Sequence, residues 1–181
     1  MRFSLLNLFD PMAHDLFAVV DGAAWPGLLA AIDEHGVEHA CLFSGALGPS
    51  LQGAAPYAMA LDPASKFPGE VLPELLTRNA GIMVRYQIGI GLAPVRRHLR
   101  EFLRVLDPDG NPVFFRYYDP RVLRVYLPTC MPEELDVMFG PADAYLVPGE
   151  APGTVIEFTR TAEGDLHAQT IHAGDAARRA G

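Results

Sequence analysis

Short apolar runs alternate along the chain with stretches that are apolar on one helical face only. The first run is LFAVVD at residues 16–21, which is typical of a buried strand. A helix is predicted after it by apolar residues at helical spacing, namely Trp25, Leu28, Leu29 and Ile32. Gly36 can end this helix, and HACLF at residues 39–43 predicts the next strand. Strand, helix and strand with short joints indicate a crossover unit.

The middle of the chain continues this alternation after a stretch rich in Gly, Pro and Ser at residues 44–70, which includes a short strand, YAMAL. A helix ending near Gly81 and a strand at residues 82–88 come next. The clearest helix is predicted by a stripe of apolar residues, namely Val95, Leu99, Phe102, Leu103 and Leu106. We therefore expect this helix to pack on the sheet through one face.

The segment that follows the predicted turn DPDG, at residues 107–110, joins a strand to a helix. PVFFRYY predicts the strand, and side chains alternate between its two faces. One face carries Val113, Phe115 and Tyr117. The opposite face carries Phe114, Arg116 and Tyr118. Asp119 can then cap a helix whose first residue is Pro120, where the missing amide hydrogen costs nothing.

The remainder of the chain predicts a second helix at residues 132–139, a strand at AYLV, and a hairpin at residues 154–171. Strands alternating with helices indicate an α/β fold. We expect a mixed sheet with flanking helices, ending in a C-terminal β-hairpin. The predicted division is an α/β domain at residues 1–148, with the hairpin and tail at residues 149–181 packed on the same domain.

The composition of the 181 residues is that of a folded domain, and it argues against nucleic acid and membrane as partners. Half of the residues are hydrophobic and a fifth are charged, which argues against a disordered chain. Acidic residues outnumber basic ones 22 to 14, and the formal net charge of -8 argues against nucleic acid as a partner. No apolar run approaches the roughly 20 residues that cross a bilayer, so membrane insertion is not expected.

The N-terminal stretch begins with a basic residue followed by apolar residues, as a signal peptide does. Asn7, Asp10 and His14 interrupt the apolar residues, and no small-residue cleavage site follows them. We therefore expect a cytoplasmic protein. Its two cysteines, Cys41 and Cys130, have apolar surroundings and are expected to be buried free thiols.

No sequence pattern argues for catalysis or for a bound cofactor. His35 and His39 have the spacing of two metal ligands on a helix, but Gly36 is predicted to end the helix between them. The turn GIGLAP, from Gly89 to Pro94, follows a strand and opens a helix, where backbone amides can hold an anion. It lacks the third glycine of a dinucleotide fingerprint and the lysine of a phosphate loop. A tight turn is therefore favoured, and no catalytic residue or metal ligand is predicted.

Charged and aromatic residues crowd together in FFRYYDPRVLRVYLPTC at residues 114–130. Arg116 and Asp119 are predicted to form an ion pair that holds the strand to the helix start. Arg121 and Arg124 stand three apart and share one helical face. A structural joint gives each residue a role, and a ligand site is the alternative interpretation. The candidates for protein contact are the side chains expected to be exposed, Tyr118, Arg121 and Arg124.

One motif in this segment is specific enough to compare with known families. It is FRYYDPRVL at residues 115–123. Other marks of the same pattern are Asp21, Gly22, Pro56, Tyr57 and the turn at residues 107–110. In this order, over about residues 16–147, they resemble the family called domain of unknown function 4123. The residues with a structural role in the pattern are Asp21, Arg116, Asp119 and Pro120.

The resemblance implies a carrier without catalytic activity. Members of this family are adaptor chaperones of the bacterial type VI secretion system. They bind a toxic effector protein in the cytoplasm and deliver it to a spike protein of the VgrG type. An adaptor of this kind is therefore the leading hypothesis, with the effector and the spike as partners and with no cofactor. The alternative is a small α/β enzyme or an anion- or nucleotide-binding protein that uses the turn from Gly89 to Pro94.

Overall fold

A seven-stranded sheet forms the centre of the fold. The structure is a computed structural model that describes residues 8–107 and 109–172. The strands of this sheet are β1 (His14–Asp21), β2 (His39–Cys41), β3 (Pro56–Ala60), β4 (Gly81–Gln87), β7 (Ala142–Pro148), β8 (Thr154–Arg160) and β9 (Leu166–His172). Their order across the sheet is β2-β3-β1-β4-β7-β8-β9. Two further strands, β5 (Arg104–Leu106) and β6 (Pro112–Phe114), pair within the described residues only with each other.

Helices cover both faces of the large sheet. They are α1 (Leu28–His35), α2 (Pro49–Ala54), α3 (Pro68–Arg78), α4 (Leu92–Glu101), α5 (Pro120–Tyr126) and α6 (Pro132–Phe139). Successive strand residues face opposite sides, so Val19 joins one apolar core whereas Ala18 and Val20 join the other. The core that contains Val19 also contains apolar residues of α4, α5 and α6. The opposite core contains those of α1 and α3.

The α/β class with flanking helices is confirmed, but the expected mixed pairing is not found. Every strand pairing among the described residues is antiparallel. β1 and β2 run in the same direction, as a crossover through α1 requires, yet β3 lies between them and pairs with both. α1 therefore connects two strands that are not neighbours in the sheet, because β3, which comes later in the chain, lies between them.

The sequence prediction was wrong about where α4 ends. The helix stops at Glu101, and the chain turns into β5 instead of continuing to Leu106. Phe102 and Leu103 are buried without being helical, so the apolar stripe extends beyond the helix itself. The amide of Phe115 donates to the carbonyl of Leu103, which anchors the β5–β6 hairpin to the end of α4.

The predicted strand PVFFRYY is shorter than its alternating pattern indicates. Only Pro112–Phe114 forms a strand, and its three residues are exposed. The next residues leave the extended conformation, and both Tyr117 and Tyr118 are buried. The hydroxyl of Tyr117 donates to the carbonyl of Leu99 on α4. The two tyrosines therefore lie in the core together, not on opposite faces of a central strand.

The C-terminal hairpin is continuous with the large sheet. β8 and β9 pair with each other, and β8 also pairs with β7. The predicted boundary between residues 148 and 149 falls in the loop between β7 and β8. The signal-peptide argument depends partly on the initial seven residues, and the predicted tail includes the residues after His172. Both segments lie outside the described residues. None of the described helices is long and apolar enough to span a membrane.

Candidate partner-binding surface

Asp119 starts α5 and holds the exposed Arg121 in a defined position. Its carboxylate accepts a hydrogen bond from the Arg121 amide at 3.0 Å, which makes it the N-cap, and Pro120 follows as the first helical residue. The Arg121 guanidinium donates to the same carboxylate from Nε at 2.9 Å and from Nη2 at 2.6 Å. This is the bidentate geometry in which arginine binds carboxylates most strongly. The predicted cap is therefore present, and it carries an ion pair.

The electrostatic environment keeps Asp119 ionised. Burial alone would raise the pKa of Asp119, but hydrogen bonds from Arg121 and the charges of Arg121 and Arg116 hold that pKa below its ordinary value. The charged carboxylate can therefore act as cap and ion-pair partner throughout the neutral range.

Arg116 binds a different carboxylate from the one expected. Its Nη2 donates to Oδ2 of Asp21 at 2.5 Å, while Asp119 is bound by Arg121, so the predicted pair between Arg116 and Asp119 is wrong. Asp21 is the last residue of β1, and its other oxygen accepts from the Ala23 amide at 3.0 Å. The pair joins segments that are 95 residues apart in sequence, which local spacing cannot reveal. It supports the structural role expected of both residues.

Tyr118 is buried, contrary to the exposure expected from its position in the motif. Only 3% of its surface is accessible, and the Arg116 guanidinium lies 5.9 Å from the centre of its ring. Burial, with a further contribution from the charge of Asp21, raises the pKa of Tyr118 to about 12. In this structure Tyr118 therefore packs beneath Arg116 instead of presenting its ring to a partner.

Arg121 and Arg124 differ sharply in exposure, although both were expected to be exposed. The Arg121 side chain is 65% accessible, whereas that of Arg124 is 13% accessible. Arg124 is covered because its Nη1 donates to the carbonyl of Pro148 at 2.6 Å, and Glu150 lies 3.9 Å from its Nη2. Arg124 thus ties α5 to the end of β7, and Arg121 is the more exposed arginine of the two.

Both arginines line a surface groove between α3, the start of α5 and the loop after β7. We call this the α3–α5 groove, and its volume is about 880 Å³. Residues that line it include Leu72, Pro73, Leu76, Arg121, Arg124 and Pro152. The groove thus combines aliphatic and proline side chains with two guanidinium groups, and arginine is one of the residues that protein interfaces favour for their central contacts.

Two walls of this groove were not identified from the sequence. Leu72 and Leu76 belong to the helix predicted to end near Gly81, and no pattern marks them or the loop PGEAPG at residues 148–153 as a binding surface. The only signal in that loop is its repeated proline and glycine, which predicts a turn but no partner. Only the tertiary structure brings these segments to the same groove.

The turn that carried the anion-binding alternative already contacts a carboxylate of the chain itself. The Gly89 amide donates to Oδ2 of Asp15 at 2.7 Å. The N-terminal cap of α4 is Gly91, which provides no side chain to hold a ligand. Asp15 adds negative charge at the point where an anion would approach the turn.

Histidines elsewhere in the chain do not converge on a common site. His35 contacts Glu70 at 2.8 Å, whereas Nδ1 of His39 contacts the carbonyl of Val37. Within residues 8–107 and 109–172, no group of three His, Cys, Asp or Glu side chains is arranged to hold a metal ion. Cys41 and Cys130 are both free thiols, as expected, but each is only partly buried.

His98 is the buried histidine, and its contacts give it a structural role. Its Nε2 donates to the carbonyl of Met138 at 3.1 Å, and its Nδ1 accepts from the hydroxyl of Tyr86 at 2.9 Å. Burial lowers the pKa of His98, in keeping with this neutral form. The side chain links α4 to α6 through the core.

Replacing Asp119 by alanine is expected to lower the free energy of unfolding by about 1–2 kcal/mol, because the change removes an N-cap and the acceptor for Arg121. Asp119→Asn keeps a cap acceptor but removes the charge, so a smaller loss is expected. The folded pKa lies below the unfolded one, so the charge contributes stability above about pH 4 that is lost as the pH falls through the folded pKa. Urea unfolding from about pH 5 to about pH 2 measures this loss of stability. A difference in the free energy of unfolding between wild type and Asp119→Asn that stays constant over this range would contradict the prediction.

One family model matches the chain. Its description is "Domain of unknown function (DUF4123)", and it matches residues 16–136, which is more than half of the chain. The matched part runs from β1 into α6 and includes the Asp21–Arg116 pair and the cap at Asp119. The loop at residues 148–153 lies beyond the match. No curated protein and no solved structure matches the chain.

Proposed function

The chain belongs to the DUF4123 family, and we propose that it is a non-catalytic adaptor chaperone that loads an effector protein onto the spike of a type VI secretion system. Membership of that family is the observation that carries the proposal. The partners would be a toxic effector and a spike protein of the VgrG type, and the adaptor would act in the cytoplasm. No cofactor takes part in this function.

The α3–α5 groove supports the proposal because it suits a protein segment. Its volume of about 880 Å³ is large enough for several side chains, and it lies open at the surface between α3 and α5. Leu72, Pro73 and Leu76 would contact apolar side chains of the effector. Burial of apolar surface supplies the main free energy of such a contact.

Arg121 would add specificity to this contact. Asp119 holds its guanidinium through Nε and Nη2, so the side chain loses little further freedom when a partner binds. A guanidinium has five N–H donors, and those not used by Asp119 can meet carbonyl or carboxylate oxygens of the effector. Arg124, held by Pro148 and Glu150, would keep the groove wall in place instead of contacting the effector itself.

The proposal predicts that the protein co-purifies with the effector and the spike encoded by neighbouring genes. A variant that fills the groove should lose the effector. Gly69 lines the groove, and an added Cβ there meets no atom within 4 Å, so Gly69→Tyr places a ring in the groove without a clash of its Cβ. We expect affinity for the effector to fall roughly tenfold or more, because the groove is no longer open to it.

Gly53→Tyr is the matched control. Gly53 also lies in a helix, and an added Cβ there meets no atom within 4 Å, but the residue lies outside the groove. It should bind the effector as wild type does. Failure of the wild-type protein to bind either neighbour-encoded partner would refute the adaptor function. Equal binding by Gly69→Tyr would show that another surface holds the effector.

A further inference from the structure

A second surface with no residue in common with the α3–α5 groove lies beside the β5–β6 hairpin. It is a pocket of about 370 Å³ between α2, the end of α4 and β6, which we call the hairpin pocket. Its lining includes Leu47, Leu51, Arg100, Leu103, Arg104 and Phe114. The family pattern identified residues of the neighbouring turn, but nothing in the sequence indicated that this pocket exists.

The surroundings of the hairpin pocket expose several large apolar side chains. Leu106 is 70% accessible, and Leu51 and Phe114 are about half exposed. Val105 and Val113, which lie opposite each other in the hairpin, are also exposed. Leu106 lies on the same face of the hairpin as the pocket-lining Arg104 and Phe114, whereas the two valines lie on its other face. Exposed apolar side chains beside a pocket of a folded protein mark a contact site for another molecule. Among residues 8–107 and 109–172, β5 and β6 also pair with no third strand, so the hairpin has backbone groups that are not used in a larger sheet.

Positive charge borders this apolar surface. Arg100 and Arg104 both line the pocket, and within the part of the chain that the structure describes neither forms an ion pair. The protein as a whole has a formal net charge of -8, so two unpaired arginines beside an apolar pocket stand out locally. The carboxylate of Asp107 at the hairpin turn accepts hydrogen bonds from the amides of Asp109 and Asn111, so it is engaged within the turn.

We propose that the hairpin pocket binds an acidic, apolar segment of a partner protein, in which leucine-like side chains are flanked by aspartate or glutamate. The apolar side chains would fill the space beside Leu47, Leu51 and Leu103, while carboxylates pair with Arg100 and Arg104. The proposal rests on the proposed function in taking the occupant to be a protein. It gives the adaptor a second contact, so that two partners can be held at once through separate residues.

A direct test uses the full chain and two fluorescein-labelled peptides. One peptide alternates Leu and Glu, and the other replaces every Glu with Lys. We expect the acidic peptide to bind at least roughly tenfold more tightly than the basic one, and its binding to weaken as salt is added. The double variant Arg100→Glu/Arg104→Glu should lose this binding by a similar factor.

Matched variants separate the pocket from general effects of charge and hydrophobicity. Arg97→Glu makes the charge change of each single substitution in the double variant, at an exposed position of α4 outside the pocket, and it should leave the affinity within about twofold of wild type. Leu51→Ser should weaken binding of the acidic peptide, whereas Val137→Ser, at an exposed position on α6, should not. Circular dichroism of each variant checks that the fold is retained.

Three results would overturn the proposal. The first is that both peptides bind equally well. The second is that Arg97→Glu and the double variant lose the same affinity for the acidic peptide. The third is that the chain alone forms a dimer and that the double variant abolishes this dimer. The last result would identify a second copy as the occupant. If the wild-type protein co-purifies with its effector and spike but fails the peptide test, the adaptor function stands and the hairpin pocket is excluded. If the peptide test succeeds and no secretion partner binds, the pocket stands and the adaptor function fails.

Discussion

Replacing Arg85 by methionine should lower the free energy of unfolding by about 3–5 kcal/mol, because it removes the Arg85 cation from a buried ion pair with Glu157. The two side chains are 14% and 4% accessible and form an ion pair between β4 and β8. Arg85 also donates to the carbonyl of Leu8, and Gln169 of β9 donates to Glu157. The pair therefore joins three strands and the segment before β1 through one buried contact. Chemical denaturation at neutral pH measures the loss.

Two further variants test whether burial is the cause. Arg78→Met removes an exposed arginine that pairs with Glu74 on the same helix, and it should cost less than about 1 kcal/mol. Arg85→Met/Glu157→Leu replaces both charges by apolar groups, and it should recover part of the loss in the single variant. A loss in Arg85→Met no larger than that in Arg78→Met would contradict the prediction.

Gly81→Ala should destabilise the protein by roughly 3 kcal/mol or more, since the new methyl group has no space between two strands. Gly81 begins β4 and pairs with Val20 of β1. A Cβ at this position would lie 2.1 Å from the carbonyl oxygen of Val19 and 2.9 Å from Cα of Val20. Both atoms belong to the backbone of a central strand, so they cannot move aside without disturbing the sheet. The thermal unfolding midpoint should fall accordingly.

Gly53→Ala is the control for the intrinsic effect of adding a methyl group. Gly53 lies in α2, where an added Cβ meets no atom within 4 Å, and alanine is expected to favour the helix by about 0.5–1 kcal/mol. The two substitutions should therefore shift stability in opposite directions. Similar small shifts for both would mean that the sheet accommodates a side chain at residue 81.

Gly81 was predicted to mark the end of a helix, but the structure requires a glycine there for a different reason. The sequence placed a helix end near this glycine, and α3 does end shortly before it, at Arg78. The left-handed residue after the helix is Asn79, with a φ of 52°, so the helix does not need Gly81 to end. What requires a glycine at residue 81 is the approach of β1, a strand formed some sixty residues earlier in the chain.

Predictions for the candidate site were correct where the contacting residues are adjacent in sequence and wrong where they come from distant segments. The cap formed by Asp119 and Pro120 was predicted correctly because its partners are adjacent in sequence. Arg116 was paired with the wrong carboxylate because its partner, Asp21, comes from another strand. Arg124 was expected to be exposed, but the end of β7 covers it. Spacing along a helix indicates which side chains share a face, but it does not indicate what packs against that face.

The sequence by itself determined the alternation of strands and helices, most element positions, the helix cap in the motif and the family to which the chain belongs. These features depend on local periodicity, capping chemistry and the order of motifs. Only the tertiary structure decided that β3 lies between β1 and β2, that Tyr118 is buried, and that two separate surface pockets exist. The physical reason is that pairing, burial and grooves arise from contacts between distant segments, whose free energy depends on how the whole chain packs.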